Sequence, residues 1–262
     1  MDRNHRMELQ YAGTGFHGWA KQDGLITVEG CLEAALSTVL GDAHPIRVAG
    51  RTDAGVHARR QVASVHLPEG TDLARLVRSL NALTPPGIAV TRITPVAVDF
   101  DPRKDAVRRV YRYFLCAAEV VPPFWVSYAW HVVGGIDLSA MRESAALVVG
   151  SNDFTAFTPR ETEHVFFRRL VSRCAWKQMR GGSSALSPAT AEAIVFLEIE
   201  ADAFLRHMVR TLVGTMVEVG EGTRSVADFG RLLGGAARET AGRTAPAHGL
   251  FLWDVGYRKR RS

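Results

Sequence analysis

The sequence predicts a mixed α and β protein, of α/β or α+β type, organised as two halves. Three observations carry this. Strand-like and helix-like stretches alternate from the N-terminus onward, the helix-like stretches carry apolar faces, and strand–helix–strand order recurs in the second half. At 262 residues the chain is long enough for one large domain or two modest ones. The halves are placed at residues 1–105 and 106–262.

Met7 to Tyr11 reads as the first strand, followed by a glycine-rich, aromatic loop from Ala12 to Gln22. Thr27 is the expected N-cap of a helix with Val28, Cys31, Leu32, Ala35, Leu36, Val39 and Leu40 on one face. Ile46 to Ala49 and Gln61 to Leu67 read as strands, the second with half-buried alternation. A helix over Leu73 to Leu83 stops before Pro85-Pro86, and Ile88 to Val98 reads as a strand. In the second half, Val110 to Cys116 is a strand, and Leu138 to Val149 a helix capped by Asp137 and ended by Gly150. Val165 to Trp176 and Ala193 to Ala201 read as a strand pair. The Gly-, Ser- and Pro-rich connection at 177–192 reads as a mobile loop. A long helix is expected from Phe204 to Val219, and a short one opening at Ser225. No sequence-level repeat accompanies the similar order of elements.

Composition narrows the class. No apolar run approaches a bilayer span and no signal-type apolar stretch follows the N-terminus, so a cytoplasmic protein is expected. Cys31, Cys116 and Cys174 lie far apart without metal spacing and read as reduced core thiols. Lys and Arg number 32 against 27 Asp and Glu. The excess is small, but its clusters sit beside aromatic residues or glycines: Arg59-Arg60, Arg103-Lys104, Arg108-Arg109, Arg112, Arg168-Arg169 and the tail from Arg258. That combination suits phosphate contacts with base stacking; a solvated basic surface explains it equally well.

Four constellations carry possible chemistry. In Gly50-Arg51-Thr52-Asp53-Ala54-Gly55-Val56-His57, the two glycines bracket a tight connection. Asp53 there reads either as an Asx turn or as a carboxylate kept ionised for nucleophilic or basic work. On a strand over 109–115, Arg109, Tyr111 and Tyr113 share a face, either as sheet packing or as a holder for a base and its phosphate. On the expected helix from Phe204, Arg206 and Arg210 form a like-charge pair four residues apart. Arg210 adjoins the apolar stripe and either snorkels or partners a carboxylate such as Asp53. The loop Tyr11-Ala12-Gly13-Thr14-Gly15-Phe16-His17-Gly18-Trp19 reads as a binding loop, though not a dinucleotide fingerprint. The nine histidines show no metal-site spacing and no G-x-S-x-G elbow is present, so neither metal nor cofactor is expected.

Taken together, these segments resemble the tRNA pseudouridine synthase A family. The resemblance spans nearly the whole chain: Tyr11-Ala12-Gly13-Thr14, the G-R-T-D-A-G-V-H-A string from Gly50, Phe100-Asp101-Pro102-Arg103, Arg109-Val110-Tyr111-Arg112-Tyr113, Met208-Val209-Arg210 and Thr244-Ala245-Pro246 with Gly249-Leu250. It implies an α+β pseudouridine synthase fold, two similar halves around a mixed, mostly antiparallel sheet with a basic cleft. It implies a homodimer acting on tRNA at positions 38, 39 and 40 of the anticodon stem-loop, without cofactor or metal. By the same resemblance, Asp53 is the nucleophile, Tyr111 stacks on the target uracil and is a candidate for proton transfer, and Arg210 pairs with Asp53. Arg51 contacts RNA backbone, Leu250 lines the base pocket, and Arg109 and His57 are further substrate-binding positions. The chain departs from the pattern at Ala12, Ala20 and Asn152, where Asp, Gln and His are usual. A catalytically silent RNA-binding protein on this fold would keep the basic surface and lose the Asp53, Tyr111 and Arg210 set. A nucleoside glycosidase would want two placed carboxylates, and only Asp53 sits in a fitting motif.

Overall fold

The computed structural model describes residues 2–162, 164–179 and 193–258. They fall into two compact units, one within Met1–Val107 and Phe251–Ser262, the other within Arg108–Leu250. Most of the 177–192 connection and the end of the basic tail lie outside the described residues.

In the first unit, β1 (Asp2–Tyr11) pairs antiparallel with both β3 (His57–Pro68) and β4 (Ile88–Pro95). The short β2 (Arg47–Val48) pairs antiparallel with β3, and β10 (Leu250–Tyr257) pairs parallel with it through Phe251↔His57 and Leu252↔Ala58. That parallel pairing groups the last strand with the N-terminal segment rather than with the residues before it. Leu250 and Leu252 alternate as in a strand, and buried Val255 falls out of that phase. Helix α1 (Val28–Leu40) begins where the Thr27 hydroxyl accepts the Gly30 N–H at 3.2 Å, and ends at Gly41, whose φ of 92° suits glycine. Helix α2 (Leu73–Leu83) is capped by Asp72 and stops at Thr84, before the prolines. The Asn81 amide grips both backbone groups of Val90, fixing α2 on β4.

One irregularity matters for function. Leu9 faces Gln61 while Tyr11 faces Ala58, so β3 carries an extra residue against β1. This bulge breaks the alternation and leaves neighbouring Arg59 and Arg60 both exposed. Arg59 lies over the Trp253 ring at 4.8 Å, and Arg60 pairs with Glu8 and Asp254. Strand β4 ends at Pro95, short of the expected Val98, which is exposed.

In the second unit, β5 (Ala106–Cys116), β9 (Ile194–Ala201), β8 (Arg168–Gln178) and β7 (Gly150–Asp153) form an antiparallel sheet in that order, with β6 (Trp130–His131) parallel to β5. Strand β8 starts at Arg168 instead of Val165: its pairing with β7 begins at Asp153↔Arg168, and Val165 and Phe166 lie exposed before it. Helix α3 (Leu138–Leu147) is capped by Asp137, and α5 (Val226–Leu232) by Ser225. Helix α4 (Met208–Gly220) is buried along most of its length. The Trp176 indole donates to the Met216 sulfur at 3.3 Å, joining β8 to α4. Cys116 and Cys174 are buried thiols and Cys31 is half-buried; none forms a disulfide.

Helix α4 begins four residues later than the sequence reading placed it. His207, its N-cap, adopts a left-handed backbone (φ 60°) and is the one described non-glycine residue at positive φ. Arg206 therefore lies outside the helix, and the expected like-charge pair with Arg210 does not arise there.

Candidate active site

In the first unit the site is made by two loops laid backbone to backbone. Gly50 to Val56 connects β2 to β3, and Ala12 to Trp19 leaves β1. The Trp19 N–H donates to the Thr52 carbonyl at 3.0 Å, and the Gly55 N–H to the Phe16 carbonyl at 3.3 Å. Their approach is too close for a side chain at two points. A Cβ at Gly13 would stand 2.0 Å from the Val56 carbonyl oxygen; one at Gly18, which has φ 91°, would stand 2.8 Å from that of Thr52. Phe16 and Trp19 are buried, so their rings anchor this loop from below instead of presenting a stacking surface. The Trp19 indole donates to Glu29 in α1.

Within this frame Asp53 is half-buried, and its carbonyl accepts the Val56 N–H at 3.1 Å. Arg51 is exposed. His57 opens β3 and is 1% exposed; its Nδ1 accepts the Gly13 N–H at 3.0 Å and its ring stacks on Phe251 at 4.5 Å. An accepting Nδ1 means the ring carries its proton, when neutral, on Nε2.

The second unit brings three distant motifs together. Arg210 stands in the first turn of α4, where the helix dipole disfavours a cation. Its Nε donates to the Ala245 carbonyl at 2.8 Å, while the Ala245 N–H donates to the Arg210 carbonyl at 3.1 Å. The Thr244-Ala245-Pro246 segment thus clamps both the backbone and the side chain of Arg210. The hydroxyls of Thr211 and Thr244 meet at 3.3 Å beside this clamp. On β5, fully buried Tyr113 donates to the Pro246 carbonyl at 2.8 Å, and Gly249 packs where a Cβ would lie 2.6 Å from its ring. Burial lifts the Tyr113 phenol far above its ordinary value, against the opposing pull of Arg210.

Tyr111 shares the Tyr113 face of β5 but is half-buried, and packs edge-on against Phe204 at 4.9 Å. Arg109 donates to the Asp202 carbonyl at 2.8 Å, and Leu250 is buried at the start of β10. Arg51 and Asp53 therefore share the loop that leads into His57 at the start of β3, all in the first unit, while Arg109, Tyr111, Arg210 and Leu250 belong to the second.

Not every basic cluster is available to a phosphate. On the other face of β5, Arg108 pairs with Glu200 and Arg112 with Glu198. Arg173 reaches both carboxylates from β8, and Lys177 reaches Glu198 at 2.8 Å. Asn152, one of the departures from the family pattern, donates to the Val148 carbonyl at 3.0 Å and so satisfies the end of α3.

Comparison with known proteins bears on this arrangement. A family model described as tRNA pseudouridine synthase matches residues 145–258. The chain is 37% identical over 252 residues to the tRNA pseudouridine synthase A of Syntrophotalea carbinolica, covering 96% of this chain and 95% of that protein. It is 38% identical over 256 residues to that of Chlorobium chlorochromatii, covering 97% of this chain and all of the relative. The chain belongs to the tRNA pseudouridine synthase A family. Similarity to the family extends well beyond residues 145–258, across the first unit and through the loop that carries Asp53. A tRNA pseudouridine synthase A of Chloroflexus aurantiacus is 38% identical over 95% of this chain and 87% of its own length. The α+β composition read from the sequence and the mixed sheet agree with family membership.

The sequence reading missed the polar residues that hold these loops. Tyr11 and Thr52 stand inside the quoted motifs without a role assigned to them, and Gln61 sits in a strand whose alternation hides the bulge. A polar side chain with strand-core neighbours was the available signal.

Proposed function

We propose that this chain is an isomerase that converts uridine to pseudouridine in tRNA, at positions 38, 39 and 40 of the anticodon stem-loop. The observation that carries this is the near-full-length similarity to enzymes named tRNA pseudouridine synthase A, together with Asp53 on the loop before β3, Tyr111 on β5 and Arg210 on α4. The reaction breaks the N1–C1′ bond, turns the uracil, forms the C5–C1′ bond, removes the C5 proton and returns a proton to N1. Atoms balance without a redox partner. A carboxylate suits the work because it can attack carbon and leave again, so no cofactor is needed.

In this reading Asp53 is the nucleophile. Arg210 is its ion partner, the guanidinium already oriented by Ala245 so that little freedom is lost when it acts. Tyr111 stacks on the uracil and is assigned the proton at C5. Support for an accessible ring is its half-buried position, in contrast to buried Tyr113 one alternation further along β5. Arg51, exposed beside Asp53, contacts phosphate, and Arg109 supports the substrate from β5. Leu250 lines the base pocket. His57, being buried, serves binding by tying the two loops through Gly13. The reading includes a homodimer and a cytoplasmic location; no described helix is long and apolar enough to cross a membrane.

The test is a map of pseudouridine in tRNA from cells lacking the gene. Loss of signal at positions 38 to 40, restored by the wild-type gene, is expected. Unchanged signal across the anticodon arm would remove the substrate assignment. Binding of tRNA should also weaken steeply as salt rises, because released counterions drive contact with phosphates. A nucleoside-sized site would be nearly indifferent to salt.

A further inference from the structure

We propose that Tyr11, Thr52 and Gln61 form a buried hydrogen-bond triad that positions Asp53 for attack, which makes them positioning residues of the reaction. The inference rests on the reading of Asp53 as nucleophile.

Gln61 is 0% exposed, yet each of its polar atoms is engaged. Its Nε2 donates to the Gly50 carbonyl at 2.8 Å and to the Tyr11 hydroxyl at 3.2 Å, and its Oε1 accepts the Val62 N–H at 3.1 Å. A carbonyl needs a donor and an N–H needs an acceptor, so these two backbone groups fix which way the amide faces. The Tyr11 hydroxyl meets the Thr52 hydroxyl at 2.8 Å. Burial pushes the Tyr11 phenol up to about 12, with the Thr52 and Gln61 hydrogen bonds opposing the rise, so it stays protonated at any working pH.

The contacts converge on the residues that bracket the nucleophile. Gly50 is held through its carbonyl and Thr52 through its hydroxyl, while the Thr52 carbonyl takes the Trp19 N–H. On the far side, the Asp53 carbonyl takes the Val56 N–H. The backbone on either side of Asp53 is thereby fixed without using its carboxylate. The bulge in β3 has a purpose in this arrangement. Gln61 opposes Leu9 at the register shift, so its amide reaches back to Gly50 and Tyr11. Apolar anchoring of the same loop comes separately, from buried Val56 and Trp19. Removing a hydroxyl from the triad should leave the fold in place while loosening the carboxylate, and a misplacement near 1 Å costs roughly a hundredfold in rate.

The experiment measures tRNA affinity, the single-turnover rate of pseudouridine formation on bound tRNA, and melting temperature, for Tyr11→Phe, Thr52→Val, Thr52→Ser and Asp53→Asn. Tyr11→Phe and Thr52→Val should be folded at the assay temperature, bind tRNA within about threefold of wild type, and react about tenfold to a hundredfold more slowly. Thr52→Ser, which keeps the hydroxyl, should restore most of the rate; a merely structural role would not separate serine from valine in rate at equal affinity. If Asp53→Asn is inactive while Tyr11→Phe and Thr52→Val react within twofold of wild type, the triad inference fails and the nucleophile stands. The inference also fails if the rates fall only as the folded fraction falls. If Asp53→Asn turns over normally, the nucleophile reading itself fails. Should one hydroxyl variant not fold, the other decides.

Discussion

Ala245 holds Arg210 at two points: its carbonyl accepts the guanidinium Nε at 2.8 Å and its N–H donates to the Arg210 carbonyl at 3.1 Å. A residue from the T-A-P segment thus aims the one arginine in the first turn of α4. Lysine could supply the charge at this position but not a planar Nε–H that leaves the terminal nitrogens for a second partner. Arg210→Lys is therefore expected to fold, with a melting temperature within a few degrees of wild type, and to lose at least about tenfold in single-turnover rate. Wild-type turnover would show that orientation of the guanidinium is unimportant.

Tyr111→Phe separates the two roles given to that ring. The aromatic surface and its edge contact with Phe204 remain, so tRNA affinity should stay within about threefold, since base stacking needs only the π-face. Turnover should be lost if the phenol moves the C5 proton. A Phe variant that works normally would confine Tyr111 to stacking.

How far the sequence was legible depended on how local each feature is. Helix starts at Thr27, Asp137 and Ser225 are set by a few neighbouring residues, and all three side chains accept first-turn N–H groups. The start of α4 is not marked in the apolar spacing, which continues backward through Leu205 and Phe204 past the left-handed turn at His207. Strand β10 and the triad depend on partners far away in the chain: Phe251 on His57, Gln61 on Gly50 and Tyr11. Periodicity carries no record of such pairings. The motif residues were legible as types, whereas the Ala245 clamp on Arg210 was not.

Glu198 gives a stability prediction independent of catalysis. It is 3% exposed and bonded to Arg112, Arg173 and Lys177. Burial alone would raise its carboxyl, but hydrogen bonds from Lys177 and Arg112 and the attraction of Arg112 and Arg173 outweigh it and hold it below the ordinary value. A carboxyl depressed in the folded state binds protons more readily when unfolded. Its contribution is full above the unfolded value, about pH 4.3, and disappears as pH falls through the folded value. Glu198→Gln should cost about 1 to 2 kcal/mol near pH 7, because charge-assisted hydrogen bonds are lost while the three cations keep access to solvent. Urea unfolding across pH 3 to 7 should show a shallower acid decline in the variant. Equal slopes would dismiss this role.

Gly13→Ala tests the contact between the two loops. The added methyl would fall 2.0 Å from the Val56 carbonyl oxygen, which is backbone and cannot swing aside. We expect a loss of about 2 to 3 kcal/mol in denaturant unfolding, together with a reduced rate of pseudouridine formation. Stability equal to wild type would mean that the loops separate freely.

The most direct measurement is single-turnover pseudouridine formation by Asp53→Asn on bound tRNA. The amide keeps the shape of the side chain and removes the nucleophile, so the variant should fold and bind tRNA within about threefold while forming product at least about a thousandfold more slowly. Pseudouridine formed at a near-wild-type rate would contradict the assignment of Asp53 and, with it, the chemistry proposed for this chain.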